Sequence, residues 1–189
     1  DLELIEGWLN TKFDHDMVAN ALDDGALPRF LNSGNPADWD KAVQLFKYCT
    51  AIRWQPDRLD SETREPVTVV EEHWLKDLVN HHATALGRKA GASAASLMAD
   101  RVREVFGEGG RADWSHVFRP AVEDQGQSHV GRGPENIVVE ALRDVLLGWT
   151  EVDATAAKPF VDGLLRGDNE MLRRVGIHVL NERWESLGD

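Results

Sequence analysis

The sequence is short of the features that mark a catalyst, a membrane protein or a nucleic-acid binder. It has one cysteine in 189 residues. A lone Cys49 cannot close an intramolecular disulfide, which fits a reducing compartment. It falls in an apolar helical pattern, so it reads as a buried, inert thiol rather than a nucleophile. No run approaches the roughly 18–20 apolar residues that a membrane span needs. No basic stretch followed by an apolar one opens the chain as a secretory signal would. Gly-x4-Gly-Lys-Ser/Thr is absent: the glycine-rich stretches at 87–91 and 107–111 do not match it, and neither follows a strand. Gly-x-Ser-x-Gly is absent as well. Positive charge is scarce, with 21 Lys and Arg scattered among 33 Asp and Glu for a net −12. That balance disfavours nucleic acid as a partner, because phosphate binding needs a clustered basic face.

What the chain does have is apolar stripes. Its 42% hydrophobic and 29% charged residues are ordinary for a globular protein, and its length suffices for one sizeable core. The clearest stretch is Pro134 to Leu187, which reads as three helices. Val138, Leu142, Val145 and Trp149 mark the first stripe, Ala157, Val161 and Leu164 the second, and Leu172, Val175, Val179 and Trp184 the third. Steps of three and four put such residues on one helical face. Asp153 is placed to cap the second helix and Asp168 or Asn169 the third. Pro159 either starts or kinks the second.

Upstream, residues 1–10 and 14–22 suggest short helices, with Gly25 and Pro28 as a break. Asn35-Pro36 is a cap and first-turn pair for a stronger helix that reaches Trp54. Residues 55–65 are polar and carry no periodicity. Pro66 is expected to open the next helix, with Thr68 and Glu71 as a capping box. That helix should end near Gly87 or Gly91, and another should cover 93–106. No stretch predicts a strand. Residues 107–133 form a long connection rich in glycine, with Trp114, Val117, Phe118 and Val122 as anchors that would dock it on the helices. It is also the natural sub-boundary of what is otherwise expected to be a single helical domain over 1–189.

One-striped helices must stack to bury their stripes, so the expected fold is all-α, built of stacked antiparallel helix pairs in the manner of HEAT repeats. Gly7-Trp8 and Gly148-Trp149 each end a helix, and the units that follow close on Arg53-Trp54 and Arg183-Trp184, a candidate internal repeat. The segment "LRDVLLGW…LLRGDNEMLRRVGIHVL", preceded by "WSHVFRPAVEDQ", resembles the α-solenoid regions of large bacterial multidomain proteins of the STAND and NACHT type, many of them in phage defence. The resemblance covers about Trp114 to Trp184. It implies a bacterial, cytoplasmic segment of a larger protein that senses, scaffolds or oligomerises. The family's ATPase motifs are missing here, so its nucleotide chemistry is not carried over. The chain also starts at Asp1 rather than Met, which agrees with a piece of a longer protein.

The sharpest chemical alternative lies in the histidines. His73, Asp77 and His81 stand at i, i+4 and i+8 of one helix, and i, i+4 pairs can share a metal ion. All three cannot meet on one ion, because eight residues of helix span about 12 Å. A further ligand would have to come from another helix, such as His15, Asp16, His116 or His129. The plainer reading leaves His73 and Asp77 on a solvated flank and His82 against the core. His15-Asp16 is similar to the paired ligands of HD-type phosphohydrolases, but no histidine precedes it to supply that pattern's first ligand. Adjacent carboxylates such as Asp23-Asp24, Glu71-Glu72 and Glu123-Asp124 point about 100° apart on a helix and suit a solvated surface. Most tryptophans suit gaps between stacked helices. Trp39 and Trp114 are the candidates for a partner surface, and Arg119 is a candidate for charge pairing.

The expected function is therefore a non-catalytic helical scaffold, sensor or regulatory segment that engages a protein partner or other domains of the same chain. No cofactor and no membrane are expected, and a homo-oligomer is compatible with the pattern. The alternative is a small all-α, HD-like metal-dependent hydrolase.

Overall fold

The stripes become helices where caps and breaks frame them. The computed structural model describes residues 2–9, 15–56, 64–106, 122 and 133–188. The chain starts with α1 (Leu2–Leu9) and α2 (His15–Ala21), passes through a π-helical turn (Leu22–Ala26) into α3 (Leu27–Leu31), then enters α4 (Pro36–Cys49). Asn35 caps α4 by accepting from the Ala37 N–H at 3.1 Å, and Pro36 takes the first turn, as the sequence suggests. The protein is largely all-α.

The departure comes next. Helix α4 ends at Cys49 rather than reaching Trp54, and residues expected to end that helix, to be unstructured or to start the next one form a small antiparallel hairpin of β1 (Ile52–Pro56) and β2 (Arg64–Thr68), with Trp54 opposite Pro66. Pro66 opens no helix; it sits in a strand of a two-stranded sheet, where a missing N–H is tolerated at the edge. Thr68 caps nothing either, since its hydroxyl donates to the Val70 carbonyl at 2.7 Å. The β-branched run Val67-Thr68-Val69-Val70 favours extended backbone, and Ile52, Val69 and Val70 are buried.

The central element is α5 (Glu72–Phe106), two helical segments joined at Gly91. Gly91 has φ +42°, a conformation that side chains rarely adopt, and a Cβ there would lie 3.0 Å from the Trp149 indole nitrogen. Gly87 does not end the helix. It lies against α6 (Pro134–Val152) so closely that an added Cβ would fall 2.0 Å from the Val145 carbonyl oxygen. The contact is reciprocal, because a Cβ on Gly148 would fall 2.1 Å from the Thr84 carbonyl oxygen. These paired glycines let the two backbones touch, and α5 with α6 forms the most extensive helix contact among the described residues. Leu78, Leu86, Leu142 and Leu146 are fully buried around it, each contributing about 1.5–3 kcal/mol by removal from water.

The C-terminal helices follow expectation with two adjustments. Asp153 caps α7 (Ala154–Arg166) through the Ala156 N–H, and Asn169 rather than Asp168 caps α8 (Glu170–Glu182) through the Leu172 N–H. Helix α7 starts before Pro159 and runs through it, without the bond that residue 159 would donate. At Arg183 the backbone leaves helical geometry (φ −123°, ψ 28°), and α9 (Trp184–Leu187) restarts in a new direction. Trp184, expected on the core stripe, is turned outward to 62% exposure. The candidate repeat stops there as well, since Arg53-Trp54 lies in β1 and Arg183-Trp184 at a helix joint. The connection 107–133 falls outside the described residues except for Val122 and Gly133. Val122 is buried, and its carbonyl accepts from the buried Arg143 guanidinium of α6 at 2.9 Å, while the other expected anchors, Trp114, Val117 and Phe118, lie outside the described residues.

Candidate functional site

Two adjacent histidines on α5 meet one carboxylate in the π-turn. In that turn the Leu27 N–H bonds to the Leu22 carbonyl, five residues back rather than four. The next bond of this register would run from residue 28 to the Asp23 carbonyl. Residue 28 is proline and has no N–H to give. The Asp23 carbonyl is instead met by His82 Nε2 at 3.0 Å. A sequence break, Gly25 with Pro28, thus exposes a backbone acceptor where α5 passes.

The side chain of Asp23 completes the cluster. His82 Nε2 lies 2.7 Å from Asp23 Oδ1, and His81 Nδ1 lies 3.1 Å and 2.9 Å from Asp23 Oδ1 and Oδ2. Carbonyl and ionised carboxylate oxygens only accept, so His82 Nε2 and His81 Nδ1 carry the hydrogens in this arrangement. Adjacent helical residues point about 100° apart, and Asp23 fits in the angle between the two rings, which lie edge to face with centroids 6.0 Å apart. The site has a closed and an open side: the side chain of His82 is 10% exposed and that of Asp23 18%, against 59% for His81.

Among the described residues, Asp23, His81 and His82 are the one set of three metal-capable side chains whose donor atoms lie within 4.8 Å of one another. The trio of His73, Asp77 and His81 is not brought together. His73 is exposed and stacks on Trp74 with centroids 4.3 Å apart. Asp77 is exposed too, and His81 turns to Asp23. His82 does face inward, as the plainer reading expects. His116, His129, Trp114 and Arg119 lie outside the described residues, as do the side chains of His15 and Asp16. Asp23 is the residue that sequence reasoning misses, because it treats Asp23-Asp24 as solvated surface. The one available signal is the pairing of a proline-broken helix with a His-His step, and Asp23 and His81 are 58 residues apart.

The remaining candidates have structural partners. Trp39 is half-buried, and its indole N–H donates to the Ser33 carbonyl at 2.8 Å while Lys89 lies over its ring. Asp38, in the same capping network, is held below the usual carboxylate range by its bonds to the Lys41 ammonium and the Ser33 hydroxyl. Cys49 is fully buried, and burial pushes its thiol up to about 12, so it is no nucleophile at neutral pH. No family model matches this chain, and no curated protein or solved structure matches it either.

Proposed function

We propose that this chain is a non-catalytic helical scaffold or sensor segment, with HEAT-like stacking of its helices, that works by contact with a protein partner or with other domains of the same polypeptide. The observation that supports this reading is the distribution of exposed apolar side chains. Ile177 on α8 and Trp184 on α9 are 56% and 62% exposed, and Leu4 on α1 and Met17 on α2 are 53% and 71% exposed. Val152, the last residue of α6, is 56% exposed as well, while the α5–α6 contact itself is closed. Apolar side chains left bare on the first and last helices are what a stacked array presents where the next element docks. The resemblance to bacterial STAND and NACHT-type solenoids, and with it a cytoplasmic setting, agrees with such a role.

The test is a titration of this chain against any other domains that its gene product carries, beside light scattering for self-association. We expect an Ile177→Ser, Trp184→Ser variant to bind at least about tenfold more weakly, with its melting temperature kept, because interface anchors are often exposed aromatics. Absence of any association in the native chain, or equal affinity of the variant, would overturn the reading. A second reading, a metal-dependent hydrolase, draws on the Asp23, His81 and His82 cluster. It requires turnover of a phosphoester that depends on both added metal and His81.

A further inference from the structure

We infer that Asp23, His81 and His82 form a binding site for one divalent transition-metal ion of the Zn2+ class, and that the ion ties the π-turn to α5. The donor set is two imidazole nitrogens and one carboxylate oxygen. Imidazole suits Zn2+, Co2+ and Ni2+, whereas Mg2+ and Ca2+ call for oxygen ligands throughout. The three donors come from two elements that are far apart in sequence yet already in contact. Little rearrangement is needed. Tetrahedral bonds of about 2.0–2.2 Å put neighbouring ligand atoms about 3.3 Å apart. The nitrogen–oxygen distances now run from 2.7 to 3.1 Å, so these pairs separate by about 0.2–0.6 Å, and all three donor atoms already lie within 4.8 Å of one another. The exposed His81 ring is free to supply that movement.

Binding changes the protons in a defined way. The two ring nitrogens that now donate to Asp23 must present lone pairs, so in each neutral imidazole the hydrogen moves to the other ring nitrogen. The carboxylate trades the hydrogen bonds from the two rings for one metal bond, and the Asp23 carbonyl, which loses the His82 N–H, turns to water. Three protein ligands leave a fourth position, which faces solvent on the His81 side and would take water. The alternative is a metal-free clamp in which both rings donate to Asp23 permanently. That alternative gives the same fold but no response to metal.

The experiment uses the whole chain after treatment with a chelator, titrated calorimetrically with ZnCl2 and followed by thermal melting. We expect one Zn2+ per chain and a rise in melting temperature that grows with free metal. MgCl2 and CaCl2 should leave the melt unchanged, and Co2+ should give the visible bands of a four-coordinate ion. His81→Ala should melt like the metal-free parent, because that side chain is mostly exposed, yet bind Zn2+ at least about tenfold more weakly, in line with the loss of a ligand. His73→Ala should bind as the parent does. The inference falls if no stoichiometric binding occurs, if His81→Ala retains full affinity, or if His73→Ala loses as much as His81→Ala.

Discussion

Helix α5 makes two contacts of opposite kinds within ten residues. At Gly87 it meets α6 backbone to backbone, with no side chain between them on either strand of the contact. At His81 and His82 it meets the π-turn through polar side chains that leave one edge open to water. The first contact works by removing atoms, so it tolerates nothing added. The second works by specific donors and acceptors, so it responds to their chemistry. A helix can be locked and addressable at once if these duties fall on different turns.

The widest gap between the two contacts should appear on adding a methyl group. We predict that Gly87→Ala or Gly148→Ala destabilises the protein by about 3 kcal/mol or more, since a Cβ 2.0–2.1 Å from a carbonyl oxygen must push the helices apart. Urea unfolding measures this, and a loss below about 1 kcal/mol would show that the helices are not so close. Next in size is His82→Ala, expected to cost about 1–3 kcal/mol because it removes one of the two ring donors to a partly buried carboxylate and the donor to the Asp23 carbonyl. His81→Ala should cost less than about 1 kcal/mol, and equal losses at both positions would erase the distinction between the closed and open sides. Capping changes come third. Asp153→Ala and Asn169→Ala should each cost about 1 kcal/mol in thermal melts. The smallest effect belongs to the exposed Arg88–Glu151 ion pair, which spans α5 and α6 at 2.8 Å. Arg88→Ala should change stability by about 0.5 kcal/mol or less, and less still at high salt.

The sequence was most informative where the physics is local. Helices α6, α7 and α8 could be read from their stripes and from Asp153 and Asn169, because a cap and a 3.6-residue period are properties of a dozen neighbours. A break near Gly87 or Gly91 could be read for the same reason, but not which of the two carries it. Gly87 could not, because its role depends on Val145, a residue of another helix. The hairpin was hidden by Pro56, Pro66 and charged residues, which oppose strands in general but are tolerated in a two-stranded sheet at a protein edge. Trp184 fits the α8 stripe, and only the departure of Arg183 from helical geometry turns it outward. The candidate site was not legible as a unit. The sequence sets His81 with His73 and Asp77 and places His82 against the core, and Asp23 gains its meaning only from Pro28 at the start of α3 and from the path of α5 beside it.

The reciprocal glycines also limit how this protein can move. Teeth that mesh this closely oppose sliding, so Gly87 and Gly148 fix the register of α5 on α6. Four residues on, Gly91 is the one place in α5 with non-helical backbone angles, and it too lies against α6, at the Trp149 ring. Register and bend of the long helix are therefore both decided on the same partner.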